Sequence, residues 1–270
     1  MYHIECDTHT HTIYSRHAYS TIEENVRAAS EKGIKLLGST DHFSEMLFPD
    51  YKDVKNYQYF FGTNMWPRQF HGVTLLRGCE ADIVDMEGHM FGFDNIITKS
   101  IVGDEMENPM ALIDMVFRRM DYVIASVHSK RHTVGHSAAE NTQMFINALS
   151  HPKVLFIGHI GRSGVEFEMD PVLKAAKDMN KALEINEASF SYEGHHQSLC
   201  RQVAVRCAEL GVKIAVNTDA HMAYEIGNAS KALAMLEDIH FPEELIITRT
   251  RESFLEALRA SGVFTDNIIK

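Results

Sequence analysis

Residue types that bind metal ions recur at the downstream ends of short apolar runs in this chain. In chain order they are Asp7-Thr8-His9-Thr10-His11, Thr40-Asp41-His42, Cys79-Glu80, Val127-His128, Gly158-His159 and Asp219-Ala220-His221. Soluble cores normally exclude charged and imidazole side chains unless a partner satisfies them. Ligand-type residues repeated at successive strand ends therefore indicate a metal-binding protein built on a barrel.

The alternation of strand-like and helix-like runs is typical of parallel strands joined by crossover helices. Strands are predicted near residues 2–8, 34–40, 73–79, 122–127, 154–158, 183–187 and 213–218, and helices over 21–32, 108–120, 140–150, 171–182, 195–210 and 228–239. The last part of the chain predicts a short strand, Leu245-Ile246-Ile247, and then a helix that ends near Ser261-Gly262.

Two architectures fit this order of elements. An open doubly wound sheet gathers its site mainly at a switch point between two strands. A closed parallel barrel instead places the C-terminal ends of all its strands on one face, where active sites are built. Because six strand ends carry ligand-type residues, we expect an α/β fold, a TIM-like barrel of parallel strands with its active site at the strand C-terminal face.

No Pro/Gly/Ser linker or low-complexity tract divides the 270 residues, so we expect a single domain over 1–270. The segment at about 43–72 is rich in aromatic residues and is too long for a simple βα loop. It is either a lid or substrate-contacting insertion, or a structural cover; the sequence favours neither.

The balance of charged residues limits the classes of partner that the protein can bind. The formal net charge of −11 argues against a standing affinity for nucleic acid or anionic membranes, which bind clustered Lys and Arg. No apolar stretch approaches the roughly 20 residues that span a bilayer, and the N-terminus lacks the features of a secretory signal. We therefore expect a cytoplasmic protein. The four cysteines form no CxxC pair, which favours buried thiols over disulfides or a thiolate zinc site.

His9 and His11 are two residues apart, so on a strand both imidazoles point to the same side and reach one ion. Asp7 precedes them on that side. We expect its carboxylate to accept an imidazole N–H and thereby fix which nitrogen faces the metal.

The motifs together resemble the PHP (polymerase and histidinol phosphatase) superfamily over residues 1 to about 225. The resemblance is carried by Asp7-Thr8-His9-Thr10-His11, the 15–21 stretch, Thr40-Asp41-His42, Gly78-Cys79-Glu80, His128, His159 and Asp219-Ala220-His221. His17 with His42 and His221 is similar to the trinuclear-zinc phosphatase branch. The resemblance implies a distorted (β/α)7 barrel that hydrolyses phosphate esters.

The resemblance also implies three sets of ligands. One metal is held by His9, His11, Glu80 and Asp219, a second is bridged by Glu80 and bound by His128 and His159, and a third is held by His17, His42 and His221. Imidazole and carboxylate without thiolate suit zinc, which is our first choice among divalent ions, and also manganese or iron.

The expected activity is that of a metal-dependent phosphoesterase, a phosphatase that hydrolyses a small phosphomonoester with a nucleophile generated from water by the metals. Other than Asp7, the candidates for contacts to the ligands or to phosphate are Asp41, Arg16, Lys130 and Arg162. A guanidinium binds phosphate bidentately and lysine gives a point charge. On the sixth strand Glu184 or Asn186 is a further possible contact, and His132 and His136 are candidates to line the pocket.

Three alternatives stay open. Metal-dependent amidohydrolases also begin with His-x-His on a barrel strand, but they usually bridge their metals with a lysine, where this chain has Glu80. A phosphodiesterase or nuclease would use the same metals, and the strong acidity weighs against it. A non-catalytic metal-binding domain is the third alternative. The sequence leaves the substrate and the oligomeric state open.

Overall fold

The computed structural model describes residues 2–191 and 195–263, so both ends of the predicted 1–270 domain, and residues 192–194, lie outside the described residues. Seven parallel strands pair in chain order. They are β1 (Cys6–Thr10), β2 (Leu36–Ser39), β3 (Val73–Asp82), β4 (Tyr122–Ser126), β5 (Val154–Ile157), β6 (Ala182–Asn186) and β7 (Lys213–Asn217). The seven predicted strands are thus present.

The sheet curls until its first and last strands meet, so that it is nearly closed into a barrel. Thr10 at the end of β1 forms a parallel bridge with Ala220 beyond β7, and the His11 amide donates to the Ala220 carbonyl at 2.9 Å. At the opposite end, the Cys6 amide donates to the Thr248 carbonyl. The TIM-like α/β barrel expected from the sequence is confirmed.

Helices follow most strands and pack on the outside of the barrel. They are α1 (Ile22–Glu31), α2 (Leu112–Phe117), α3 (Ala138–Ser150), α4 (Met169–Asp178), α5 (His195–Leu210), α6 (Ser230–Asp238) and α7 (Arg251–Ala260). Capping boxes at Thr21 and Ser137 define the starts of α1 and α3 by satisfying their first amides. In the parts of the chain that the structure describes, no helix combines the length and the apolarity needed to cross a bilayer.

Two predicted elements were wrong. The predicted helix over 108–120 is only Leu112–Phe117, because Glu105–Ala111 forms an antiparallel hairpin with Ile96–Lys99. Both strands of a two-stranded hairpin are edge strands, and an edge strand tolerates Pro109, which lacks an amide N–H. The predicted strand Leu245-Ile246-Ile247 is instead a 3-10 helix, Glu243–Leu245, followed by a single bridge between Ile246 and Ile214.

The segment 43–72 is a packed layer of short elements. Short strands His42–Phe43 and Gln69–Phe70 pair with β3, and between them lie the helix Gln58–Phe61 and the 3-10 helices Glu45–Leu47, Val54–Tyr57 and Thr63–Met65. Phe43, Tyr57 and Phe60 are fully buried and belong to the main hydrophobic core. The segment therefore covers one side of the barrel.

Small residues inside the barrel make room for one large side chain. The Tyr122 hydroxyl crosses the interior and donates to the Thr8 carbonyl of β1 at 2.5 Å. A Cβ at Gly38 of β2 would overlap that hydroxyl oxygen, and a Cβ at Gly78 of β3 would lie 3.2 Å from the Tyr122 ring. This crosslink holds the middle of β1, next to His9.

We expect Gly38→Ala to lower the free energy of unfolding by about 1–3 kcal/mol, because the added methyl overpacks a closed interior. Urea denaturation measures the change. Gly62→Ala is the matched control, because a Cβ there would lie no closer than 3.7 Å to its neighbours. Adding Tyr122→Phe removes the overlapping oxygen, so the double variant should lose less than the sum of the single losses. Additive losses would contradict the proposed clash.

Candidate metal centre

The nine residues that the sequence nominates as ligands come together at the C-terminal face of the barrel. They come from β1, β3 and the segments after β1, β2, β4, β5 and β7: His9, His11, His17, His42, Glu80, His128, His159, Asp219 and His221. Residues as far apart in the chain as His9 and His221 thus share one site only because parallel strands all end on this face.

Four buried atoms converge at the centre of this face. His9 Nε2 lies 3.3 Å from Glu80 Oε2 and 3.5 Å from Asp219 Oδ1. His11 Nε2 lies 3.5 Å and 3.1 Å from the same two oxygens. Among the described residues none of these four atoms has a hydrogen-bond partner, although all are buried. Buried polar atoms without partners carry a large free-energy cost, which a shared cation removes.

The spacing of the four atoms fits an ion with tetrahedral coordination. Ligands about 2.0–2.1 Å from zinc at the corners of a tetrahedron are about 3.3 Å apart. The four distances of 3.1–3.5 Å therefore match that edge length. Two imidazoles and two carboxylates are also a donor set that divalent zinc, manganese and iron accept.

The other oxygen of Glu80 faces a second pair of imidazoles. Glu80 Oε1 lies 2.9 Å from His159 Nε2 and 3.3 Å from His128 Nε2, and these two nitrogens are 3.2 Å apart. One fully buried carboxylate thus separates two groups of ligand atoms, with one oxygen directed at each. This is the arrangement that a bridging ligand requires.

His17, His42 and His221 form a third group at the mouth of the site. His42 Nε2 is 3.2 Å from His17 Nε2, and the ring centroids of His17 and His221 are 4.7 Å apart. His42 also directs Nδ1 at Glu80 Oε2, 2.9 Å away. His42 therefore joins the third group to the carboxylate at the centre.

Two of the nominated ligands have backbone conformations that are rare for their residue types. His159 has φ 27° and Asp219 has φ 58°, both in the region that favours glycine. Such conformations cost about 1–3 kcal/mol each and persist where the surroundings enforce them. At Asp219 the turn is followed by the bridge to β1, and the His221 Nδ1–H donates to the Asp219 carbonyl at 2.9 Å.

Glu184 orients two of the nominated ligands, although the sequence suggested it only as a possible contact. His9 Nδ1 donates to Glu184 Oε1 at 2.8 Å, and the His159 amide donates to Oε2 at 2.6 Å. The side-chain amides of Asn186 and Asn217 also donate to this carboxylate, which is buried. With Nδ1 occupied, His9 presents Nε2 to the ligand cluster.

The expectation that Asp7 accepts an imidazole N–H was wrong. Its carboxylate accepts from the Thr218 amide at 3.2 Å, the Thr218 hydroxyl at 2.6 Å and the Gly227 amide at 2.9 Å. Asp7 therefore anchors the segment after β7 to β1. The alternation of side chains along a strand places Asp7, His9 and His11 on one side of β1. It gives no information on which carboxylate from another strand lies nearest to the Nδ1 atom of His9.

Asp82 was missed at the sequence level. Its Oδ1 accepts from His128 Nδ1 at 2.7 Å and its Oδ2 accepts from Ser44 Oγ. The signal was present, because Asp82 stands two residues after Glu80 and therefore on the same side of a strand. The predicted strand ended at 79, whereas β3 continues to Asp82.

The candidate phosphate contacts separate into different regions. Arg162 lines the cavity of the ligand cluster, about 620 Å³ in volume, and its Nη2 donates to Asp219 Oδ2 at 2.6 Å. Asp41 is buried beneath the loop after β1. Arg16 lies over the Phe48 ring, 5.3 Å from its centroid, beside a different cavity. Lys130 lines a third cavity next to Gly164.

The remaining two histidine candidates lie away from the ligand atoms. His132 lines a cavity with Asp82 and Arg131, and His136 pairs with Glu140 at 3.3 Å on the surface. All four cysteines are buried and unbridged, as expected.

The electrostatics of the site favour the deprotonated, metal-binding forms of most of the side chains described here, and His9 is the exception. Burial opposes ionisation of Glu80 and Asp219, but neighbouring imidazoles hold the pKa of each carboxyl well below its usual value. Burial lowers the pKa of His11 and His159. At His9 the surrounding carboxylates outweigh burial and hold the pKa well above its usual value. Metal binding releases protons from ligands, so a cation bound at His9 would displace the proton on its Nε2.

The PHP domain model matches residues 7–188 of this sequence, which is more than half of the chain. The protein belongs to the PHP domain family. The resemblance read from the motifs is therefore confirmed at the level of the family, and the matched range contains all the nominated ligands except Asp219 and His221.

Relatives with similar sequences cover nearly all of the chain. A protein named "Probable phosphatase" from Clostridium botulinum (strain Okra / Type B1) is 38% identical over 260 residues, covering 96% of each chain. Histidinol phosphate phosphatase from Lactococcus lactis, crystallised with zinc, L-histidinol and phosphate, has a TM-score of 0.53 at 18% identity and covers 88% of this chain and 94% of its own.

A chain from archaeal ribonuclease P with mature tRNA has a TM-score of 0.54 at 12% identity, covering 97% of this chain and 94% of its own. At such low identities the two structural likenesses show the fold alone.

We expect Glu184→Gln to weaken zinc binding by roughly 10–100-fold, because the amide no longer holds His9 as the carboxylate does. Asp7→Asn is the matched comparison at another buried carboxylate. It should leave zinc affinity within about threefold, yet lower the free energy of unfolding by about 1–3 kcal/mol through its lost acceptors. Competition with a chromophoric chelator and urea denaturation give the two quantities. The reverse pattern would assign the orienting role to Asp7.

Proposed function

We propose that this protein is a metal-dependent phosphatase that hydrolyses a small phosphomonoester. The single observation that carries the proposal is the fully buried Glu80, whose two oxygens face two separate groups of imidazoles at 2.9–3.5 Å. A bridging carboxylate of this kind suits a pair of cations that act together on one phosphoryl group. The curated relatives named "Probable phosphatase", similar over 96% of the chain, support the same activity.

The proposed site holds three ions, with zinc as first choice. His9, His11, Glu80 and Asp219 hold one; Glu80, His128 and His159 hold the second; His17, His42 and His221 hold the third. The fit of the first set to a tetrahedral edge supports zinc there. When bound, divalent cations supply positive charge for phosphoryl oxygens and lower the pKa of water toward about 7.

The residues of the chain supply orientation and selectivity. Arg162 is held by Asp219 and its side chain is 24% exposed in the cavity, so part of its guanidinium can bind a phosphoryl oxygen. Glu184 and Asp82 hold His9 and His128 by their Nδ1 atoms, so that Nε2 of each faces the centre.

The size of the cavity favours a small ester as the substrate. Its volume of about 620 Å³ is in the range of pockets for small molecules, and Met46, Ala188 and Ser191 lie around its rim. Lys130, the nearest lysine in sequence to His128, lines another cavity, so nothing here favours the lysine-bridged arrangement of amidohydrolases. The net charge of −11 opposes a nucleic-acid substrate.

We expect the purified protein to hydrolyse 4-nitrophenyl phosphate, to lose that activity on chelation, and to regain it with zinc or manganese. Hydrolysis of bis(4-nitrophenyl) phosphate and 4-nitroacetanilide should be at least about tenfold slower in kcat/KM, since the proposed cations would stabilise a dianionic monoester more than a monoanionic diester or a neutral amide. Release of 4-nitrophenol or 4-nitroaniline is measured by absorbance. Turnover of the anilide alone would replace the phosphatase with an amidohydrolase.

The metal content of two variants tests the assignment of ligands. Glu80→Ala should lose the two ions that share the carboxylate, whereas His42→Ala should lose the third ion and retain the others. Elemental analysis of dialysed protein gives the ratio of metal to protein. His3→Ala, at an exposed histidine outside the cluster, is the control and should match the wild type. An unchanged metal content in Glu80→Ala would contradict the bridge.

A further inference from the structure

Asp41 receives hydrogen bonds from three residues. Thr12 donates its amide at 2.7 Å and its hydroxyl at 2.9 Å, Ser15 donates its hydroxyl at 2.7 Å, and Tyr59 donates its phenolic O–H at 2.7 Å. Thr12 and Ser15 belong to the loop after β1, whereas Tyr59 belongs to the aromatic segment 43–72. The carboxylate thus joins that segment to the loop that follows the His9-Thr10-His11 strand.

Ser15 continues the connection to the ligands. Its hydroxyl carries a single proton, and that proton is directed to Asp41. Towards His11 Nδ1, at 3.1 Å, and the His42 amide, at 3.1 Å, the oxygen therefore accepts. His11 must carry its proton on Nδ1, and Nε2 is left to face Glu80 and Asp219.

The position of Tyr59 is fixed by its neighbours. Its ring is stacked on Tyr14 at 4.3 Å with an interplanar angle of 10°, and Trp66 packs edge-on at 5.5 Å. Tyr14 in turn donates to the Asn56 carbonyl at 2.8 Å. Burial and the nearby Asp41 carboxylate raise the pKa of Tyr59 well above its usual value, so its hydroxyl remains a donor.

We propose that Tyr59 is a positioning residue for metal binding: through Asp41 and Ser15 it fixes the Nδ1 tautomer and the orientation of His11. The inference rests on the proposed metal site but not on the identity of the substrate. The aromatic segment 43–72 is then part of the metal centre, because it supplies the outermost member of a chain of hydrogen bonds that ends on a ligand.

The matched pair Tyr59→Phe and Tyr57→Phe tests the proposal. Both tyrosines lie in the aromatic segment with largely buried rings, but the Tyr57 hydroxyl donates to the Tyr51 carbonyl at 2.6 Å, within the segment. We expect Ser15→Ala to weaken zinc binding roughly 10–100-fold and Tyr59→Phe at least about threefold, because it acts one hydrogen bond further out. Tyr57→Phe should bind zinc like the wild type.

Zinc affinity is measured by competition with a chromophoric chelator, and thermal unfolding of the chelated proteins reports stability separately. The double variant Ser15→Ala/Tyr59→Phe should bind zinc no more weakly than Ser15→Ala alone, because the connection is already broken at Ser15. A general structural role would instead weaken binding by the same factor in both backgrounds. That result, or wild-type zinc affinity in Tyr59→Phe, would overturn the proposal.

The wild type distinguishes this proposal from the proposed function. If it binds zinc but hydrolyses no phosphate ester, the function fails while the affinities of the four variants still decide the role of Tyr59. If the zinc affinities of Tyr59→Phe and Tyr57→Phe fall equally, the effect comes from the packing of the segment and the positioning role is refuted.

Discussion

The structure of the site depends on one buried carboxylate. Glu80 is inaccessible to solvent, and five histidines lie within 3.5 Å of its two oxygens: His9, His11, His42, His128 and His159. A buried charge is stable only when other charges or ions compensate it. The other groups at this face are arranged so that they supply that compensation, first through imidazoles and, when metal is bound, through cations.

Around this centre the chain builds a layer of hydrogen-bonded partners. Glu184 holds His9, Asp82 holds His128, and Ser15 with Asp41 holds His11, in each case through the Nδ1 atom. In every case Nε2 is left facing the carboxylate oxygens. The same arrangement therefore occurs three times with partners from different strands and loops, and it fixes the orientation of the three imidazole rings.

The barrel supplies the rigidity that this arrangement needs. The Tyr122 hydroxyl crosslinks the interior to β1, and the bridge between Thr10 and Ala220 joins the ends of the sheet beside four of the nominated ligands. The strained backbone at His159 and Asp219 is tolerated because the surrounding elements are closely packed. The aromatic segment 43–72 adds a buried cover on one side and reaches the loop after β1 through Tyr59.

The barrel and its family could be predicted from the residues alone, because periodicity marks strands and helices and ligand-type residues stand at strand ends. It nominated the nine residues of the cluster, which the fold brings together, while their assignment to three ions remains a proposal. Which carboxylate contacts which imidazole, by contrast, could be seen only in the folded chain. Asp7, Glu184 and Asp82 are all acidic residues on barrel strands, yet Asp7 accepts hydrogen bonds from Thr218 and Gly227, while the other two accept from the Nδ1 atoms of His9 and His128. Such contacts depend on how far strands curve and on the register of their pairing, and local residue patterns contain neither.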